Sequence, residues 1–239
     1  MEKVFNLHDV IDEEVVDMNI IDWIAFWVFF SFIALSFGCF LFFSLKYRKL
    51  GEKTKIHLAY LIFFLCWGIA SGILLVYDYC LTGLNPAEGL NYMLVWRIAS
   101  AFLMGAFGSI IFASENGVFK GKDYYGFLIG YLIFFCIGLC HPDFFIAELF
   151  MMVAECFALF IPISYIYLAY KFPAARKNIA LQFIGFLIFA IGIVMAFAPV
   201  VAAFLPLIHE LYLVSAIVQI LGFSIFAISI NRMYFARKT

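Results

Sequence analysis

Charged side chains are scarce in this sequence, and long stretches contain none at all. Only 13% of the 239 residues are Asp, Glu, Lys or Arg, whereas 67% are hydrophobic. Soluble domains carry about 25% charged and about half apolar residues, so the composition excludes a soluble globular fold. No polar stretch is long enough to form a separate soluble domain. The net charge of −1 gives no reason to expect a nucleic-acid partner.

Seven apolar runs have the composition of membrane-spanning helices, each of which needs about 20 residues. They are Trp23–Leu45, Ile56–Tyr77, Tyr92–Ala113, Tyr125–Cys140, Phe144–Tyr170, Ile179–Leu205 and Leu211–Ile230. The fourth run is short, and Pro199 is expected to kink the sixth. The sequence therefore predicts an all-α integral membrane protein with a seven-helix transmembrane domain over residues 20–233.

Apart from Lys3, which precedes the first run, and Arg97, which lies within the third, the 15 basic residues follow the odd-numbered runs, so they collect on one side of a seven-helix bundle. They are Lys46, Arg48, Lys49, Lys53, Lys55, Lys120, Lys122, Lys171, Arg176, Lys177, Arg232, Arg237 and Lys238. The positive-inside rule makes this side cytoplasmic, so we predict a cell-membrane protein with its N-terminus outside and its C-terminus inside. Residues 234–239 form a short cytoplasmic tail. Residues 1–19 form an acidic extracytoplasmic segment, either a surface helix or a solvated arm.

The first three and last three runs share a weak internal similarity. The region from Leu45 to Phe63 aligns without gaps on the region from Leu168 to Phe186, and the end of the third run resembles the end of the seventh. This pattern suggests a parallel repeat of three helices on either side of the fourth, an arrangement found in transporters. Two apolar segments with basic ends also match by composition alone, so that alternative stays open.

Three ionisable side chains fall well inside the predicted spans, where a charge is costly and therefore indicates function. Arg97 lies about two turns inside the third run, and Glu148 and Glu155 lie seven residues apart on one face of the fifth. A buried Arg needs a carboxylate partner, and Asp78 is a further candidate. These four residues predict an outward-facing polar pocket that binds a ligand or substrate. The alternative is a structural Arg–carboxylate pair.

Two weaker groupings lie at the predicted outer ends of the helices. His141, Asp143, His209 and Glu210 are metal-ligand residue types, but no ligand spacing supports a metal site, and none is predicted. Cys80 and Cys140 both fall at outer helix ends, where a disulfide would be chemically permitted.

The predicted topography resembles that of microbial rhodopsins, and Trp96–Arg97 and Gly222–Phe223 are loosely similar to their third and seventh helices. The resemblance would imply a covalently bound retinal, which needs a Lys in the middle of the seventh helix. No Lys lies within any predicted span, so the sequence argues against retinal, and no other cofactor is predicted.

The sequence carries no catalytic motif at interpretable spacing, so an enzyme ranks last. The first hypothesis is a receptor- or sensor-like protein that binds a ligand in the polar pocket and acts through a separate membrane or cytoplasmic partner protein. A small-solute or proton-coupled transporter is the second. The third is a non-catalytic subunit of a larger membrane complex.

Overall fold

The computed structural model describes residues 20–84, 91–119, 125–196 and 207–235, and within these ranges the chain is almost entirely helical. The α-helices are α1 (Ile20–Arg48), α2 (Lys55–Leu75), α3 (Met93–Phe119), α4 (Gly126–Cys140), α5 (Phe144–Ala158), α6 (Phe160–Lys171), α7 (Arg176–Met195) and α8 (Ile208–Ile230). Short π-helical segments, Val76–Leu81 and Asn231–Phe235, extend α2 and α8, and a 3-10 turn, Pro173–Ala175, precedes α7.

Helices α5 and α6 together form one rod, Phe144–Lys171. With this rod counted once, six of the described helical rods are long and apolar enough to span a membrane. The seventh, α4, has 15 residues and is about 22 Å long. Large apolar side chains cover the outside of the bundle, and Ile20 and Leu94 are 79% and 71% exposed. An apolar surface of this extent is unfavourable in water and is typical of contact with lipid. The prediction of a multi-pass helical membrane protein is therefore confirmed.

Two differences from the predicted helix boundaries change how the sequence is interpreted. Helix α3 continues to Phe119, six residues beyond the predicted end of the third run at Ala113. The fifth run is interrupted at Leu159, between α5 and α6. Pro162 explains the break, because its ring clashes with the carbonyl of residue 158 and it has no N–H to donate to that carbonyl.

Three sequence predictions lie outside the described residues. The kink at Pro199 falls in 197–206, the acidic segment occupies 1–19, and most of the short tail lies in 236–239.

The two ends of the bundle are marked by side-chain contacts between helices far apart in sequence. At the first, here called the Asp22 end, Asp22 Oδ1 of α1 lies 2.6 Å from His209 Nδ1 of α8. At the opposite Lys46 end, the Lys46 ammonium donates to Asn231 Oδ1 at 2.7 Å. Helices α1 and α8 therefore run side by side, in the same direction, over the full depth of the bundle.

Helix α4 crosses the bundle in spite of its length. Near the Lys46 end, the N–H of Phe127 in its first turn donates to Glu115 Oε1 of α3 at 2.8 Å. At the Asp22 end, the Arg97 guanidinium of α3 donates to the carbonyl of His141, which caps the C-terminus of α4. Both ends of α4 are thus tied to the antiparallel helix α3.

The closest helix contact joins α7 to α8, and three glycines make it possible. A Cβ added at Gly222 would lie 2.2 Å from the main-chain nitrogen of Phe189, and one at Gly185 would lie 2.6 Å from that of Phe226. At Gly192 the added atom would meet Gln219 Cγ at 2.6 Å. Small residues allow such backbone contact in membranes, where dispersion rather than the hydrophobic effect holds helices together.

Five aromatic side chains fill the middle of the bundle, and we call them the aromatic layer: Phe32, Phe63, Trp67, Phe189 and Phe223. Trp67 and Phe189 have ring centroids 4.6 Å apart, and Phe32 and Phe223 are edge to face at 5.1 Å. Phe63 packs against both Phe189 and Phe223. The layer joins α1, α2, α7 and α8 and fills the space between their central turns.

His57 fastens the start of α2 to the end of α8. Its Nδ1 accepts the N–H of Thr54, the N-cap of α2, at 3.2 Å, and its Nε2 lies 2.8 Å from the Tyr234 carbonyl. Acceptance at Nδ1 places the proton on Nε2, which then donates to Tyr234. The imidazole therefore satisfies main-chain groups at two helix ends.

Candidate functional site

A cavity of about 160 Å³ lies between the helices, on the Asp22 side of the aromatic layer. Every helix except α6 contributes to its wall. The lining residues include Phe29, Trp67, Ser71, Tyr77, Asp78, Leu84, Trp96, Ser100, Phe135, Phe144, Glu148, Glu155, Tyr212 and Gln219. Trp67 belongs to both the cavity wall and the aromatic layer, so the layer forms the floor of the cavity.

Three of the predicted site residues, Asp78, Glu148 and Glu155, come together in the cavity wall. The two glutamates lie on one face of α5, about 10 Å apart along its axis. Glu155 is the twelfth of the 28 residues in the combined α5–α6 rod, close to its midpoint. Among the described residues that line the cavity, none is Lys, Arg or His.

Asp78 reaches the cavity from the π-helical segment at the end of α2. Its carbonyl accepts the Leu84 N–H at 2.7 Å and the Thr82 hydroxyl at 3.1 Å. The turn that follows places Gly83 and Leu84 at φ of 56° and 63°. A leucine in this left-handed region is strained, by roughly 1–3 kcal/mol, and such strain collects at functional sites. Leu84 is buried and lines the cavity, which the turn thereby closes on one side.

Helix α5 positions the two glutamates, and its start is fixed by Asp143. The Asp143 carboxylate accepts the Ile146 N–H at 3.0 Å, as an N-cap does. Asp143 thus satisfies one of the free donors in the first turn, about one and a half turns before Glu148. Sequence analysis had placed Asp143 among weak metal candidates.

Aromatic rings form much of the remaining wall: Phe29, Trp67, Tyr77, Trp96, Phe135, Phe144 and Tyr212. Two buried polar atoms of lining residues have no hydrogen-bond partner in the described part of the chain. One is the indole N–H of Trp67, a residue only 4% exposed, and the other is Glu148 Oε2. Buried polar groups are almost always paired, so these two atoms indicate capacity for a guest molecule.

Arg97 does not line the cavity, and the expected pairing with a carboxylate is not formed within the described residues. Its guanidinium donates instead to the His141 carbonyl at the C-terminus of α4. That carbonyl carries the negative end of the helix dipole, which a cation stabilises. Its Nε atom has no partner in the same part of the chain. Arg97 thus contacts a main-chain carbonyl at a helix end, and neither the ligand-binding position nor the Arg–carboxylate pair considered from the sequence is seen among the described residues.

The weaker groupings are also resolved in position. The described residues contain no group of three or more His, Cys, Asp or Glu side chains that could hold a metal ion. His141, Asp143, His209 and Glu210 therefore do not come together as a metal site in this part of the chain. His209 contacts Asp22 instead. The disulfide considered between Cys80 and Cys140 is not formed, since all six cysteines are free thiols.

A second buried polar cluster lies on the Lys46 side of the aromatic layer. Gln182 Nε2 donates to the Tyr60 hydroxyl at 3.3 Å, and the Tyr165 hydroxyl lies close to Tyr60 and Ser114. The Gln182 carbonyl oxygen has no hydrogen-bond partner in the described part of the chain. These residues are spread over α2, α3, α6 and α7, which is why no sequence pattern indicated the cluster.

Glu115 is a buried carboxylate that sequence analysis missed. It is 1% exposed, and its Oε1 accepts the Phe127 N–H in the first turn of α4. A carboxylate at a helix N-terminus satisfies a free donor and complements the helix dipole. The predicted end of the third run at Ala113 had placed Glu115 in a loop. Val118 and Phe119 follow Glu115 by three and four positions, and these apolar residues were the available signal that the helix continues past Glu115.

Removing this cap is expected to weaken the attachment of α4. We expect Glu115→Ala to destabilise the protein by about 1–3 kcal/mol, because the Phe127 N–H loses its acceptor in a buried setting. Glu115→Gln keeps an acceptor oxygen and should cost less. Melting temperatures in detergent compare the stability of Glu115→Ala, Glu115→Gln and the control Glu52→Ala, a change in an exposed loop. Equal melting temperatures for Glu115→Ala and Glu52→Ala would contradict the capping role.

Comparison with protein-family models, curated proteins and solved structures yields no match for this chain. Its function is therefore inferred from the cavity and its surroundings.

Proposed function

We propose that this chain is a receptor- or sensor-like protein of the cell membrane that binds a ligand in the cavity and acts through a separate partner protein. The observation that carries the proposal is the acidic, aromatic cavity on one side of the aromatic layer. Such concave sites, apolar with a few convergent polar groups, are the usual form of small-molecule pockets. Seven crossings, with the N-terminus outside and the C-terminus cytoplasmic, complete the proposed topology.

Two observations support that topology. The contacts Glu115–Phe127 and Arg97–His141 tie opposite ends of α4 to α3, as expected for a fourth crossing. Basic residues also flank the Lys46 end, where Lys46 at the end of α1 contacts Asn231, the neighbour of Arg232. The positive-inside rule assigns this end to the cytoplasm, so the cavity faces outward.

The aromatic layer supports a receptor rather than a carrier. Close packing of Trp67, Phe189 and Phe223 places an apolar barrier between α2, α7 and α8, on the side of the cavity that faces the Lys46 end. A ligand that enters from outside would rest on this layer, and its contact with Trp67 would reach α7 through Phe189. The proposed output is a movement of α7 against α8 at the glycine contact between them.

Sidedness of access to the cavity tests the proposal. The six native cysteines are replaced by Ala, and a single cysteine is introduced as Ser100→Cys in the cavity wall or as Ser114→Cys beyond the aromatic layer. Membrane-impermeant thiol reagents of either charge are then applied to intact and to permeabilised cells. We expect Ser100→Cys to react from outside and Ser114→Cys to remain unreactive from that side.

Each other pattern identifies a competing function. Reaction of Ser100→Cys from both sides of the membrane would replace the receptor by a carrier with alternating access. Failure of Ser100→Cys to react from either side, in a protein that folds normally, would overturn ligand binding and favour a structural subunit. Stoichiometric co-purification of other membrane proteins would support the latter.

The carrier is the second candidate, and two observations favour it. Buried polar clusters with unpartnered atoms lie on both sides of the aromatic layer, around Glu155 and around Tyr165. The two most extensive helix contacts, α2 with α3 and α7 with α8, are equivalent under the parallel repeat suggested by the sequence. A transporter built from such repeats moves one half against the other around a central site.

A further inference from the structure

We propose that the ligand of the cavity is a small organic ammonium ion, such as an amino alcohol or a methylated ammonium of the size of choline. The inference rests on the proposed function, since it names the chemical class bound in the same cavity. Four observations carry it: the charge of the wall, its aromatic rings, its volume, and an unpartnered indole N–H.

The wall carries three carboxyl groups, each able to pair with a cation as the carboxylate. Asp78, Glu148 and Glu155 line the cavity, and no basic side chain lies among its described lining residues. Arg97, which the sequence suggested as a partner for these carboxylates, donates instead to the His141 carbonyl. Carboxylates at membrane depth are costly unless a cation, a proton or water compensates them. A cationic guest supplies that compensation, whereas an anionic one would add to the repulsion.

The aromatic rings favour an organic cation over a metal ion. An ammonium group is attracted to the faces of Trp, Tyr and Phe, and aromatic cages are the characteristic sites for methylated ammonium ions. Trp67, Trp96 and Tyr212 lie in the wall with the carboxylates. The three carboxylates do not form a metal-binding group, because the described residues contain no cluster of His, Cys, Asp or Glu side chains that could hold a metal ion. Carboxylates dispersed around apolar walls fit a bulky, weakly hydrated cation.

The volume sets the size of the guest. A cavity of about 160 Å³ is close to one of about 150 Å³ that accepts benzene. The guest therefore has roughly the bulk of benzene. The indole N–H of Trp67, which is buried and has no partner in the described chain, provides a donor for an oxygen acceptor on such a guest. Ser71 and Ser100 hydroxyls lie in the same wall.

The test compares choline with 3,3-dimethyl-1-butanol, its neutral isostere, in which carbon replaces the charged nitrogen. Purified full-length protein is titrated with each, and binding is followed by tryptophan fluorescence and by melting temperature. We expect choline to raise the melting temperature in a saturable manner and the isostere to bind at least about tenfold more weakly. The anionic analogue 3,3-dimethylbutanoate should not bind.

Charge-removing variants then locate the site. We expect Glu155→Gln and Glu148→Gln to weaken choline binding by about tenfold or more, because each loses one charged partner. The matched control is Glu210→Gln, which removes an exposed carboxylate at the same end of the bundle. Glu210 does not line the cavity. This variant should leave choline affinity unchanged. The melting temperature of each unliganded variant shows whether it is folded.

The outcomes separate this inference from the proposed function. Equal binding of choline and its isostere, or equal weakening by Glu210→Gln and Glu155→Gln, would overturn the ammonium assignment. If choline does not bind while Ser100→Cys still reacts from outside, the ligand class is wrong and the ligand-binding cavity stands. If Ser100→Cys does not react at all, the proposed function fails first.

Discussion

Gly222→Ala is expected to be the most damaging single-methyl change in this protein. The added Cβ would lie 2.2 Å from the Phe189 nitrogen and 2.8 Å from the Gly185 carbonyl oxygen. Both are main-chain atoms, so no side-chain rotation can relieve the overlap, and α7 must move away from α8. We expect a loss of about 3 kcal/mol or more, at or above the upper end of overpacking costs. The melting temperature in detergent, read by size-exclusion chromatography after heating, measures it.

A matched glycine gives the opposite expectation. Gly72 also lies in a helix, but an added Cβ there meets no atom within 4 Å. Gly72→Ala should be neutral or stabilising, because Ala restricts the unfolded chain and is the better helix former. If both variants melt at the same temperature, the close contact between α7 and α8 is wrong, and with it the arrangement of the helices around the cavity.

The contrast between these two glycines shows how far sequence reasoning reaches. The small residues Gly68, Ser71 and Gly72 are spaced as in helices that pack closely in membranes, and yet Gly72 has open space around it. Gly185, Gly192 and Gly222 lie in no obvious motif, because their contact is made between two helices and in one register only. Hydropathy identifies which segments are helices, whereas the register between them depends on side chains from both partners.

The candidate site was predictable to a similar degree. Run length and the cost of buried charge were enough to single out Glu148 and Glu155, the need for a partner to Arg97 added Asp78, and all three line the cavity. The same reasoning expected Arg97 to pair with them. It could not foresee that the C-terminus of α4 would offer a main-chain carbonyl instead, because helix ends carry free acceptors that composition does not reveal. The aromatic layer was equally hidden among 32 phenylalanines.

Trp67→Ala is the second change with a large expected effect, because this side chain belongs both to the aromatic layer and to the cavity. Its ring packs against Phe189 at 4.6 Å, Phe107 at 5.7 Å and Phe63 at 6.1 Å. Removal leaves a void that α1, α2, α7 and α8 cannot fill without losing contacts elsewhere. We expect a loss of about 3–5 kcal/mol, as for other buried aromatic residues changed to Ala. Thermal unfolding measures it.

Trp27→Ala is the control, since Trp27 is 56% exposed on the outside of α1. It should change stability by less than about 0.5 kcal/mol, as most surface substitutions do. Addition of free indole should partly restore the melting temperature of Trp67→Ala and not alter that of Trp27→Ala, because dry apolar cavities bind aromatic guests of matching size. Equal losses in the two variants, or no rescue by indole, would mean that Trp67 does not form the floor of the cavity. The ammonium ligand would then lose one aromatic wall and its only unpartnered indole donor among the described residues.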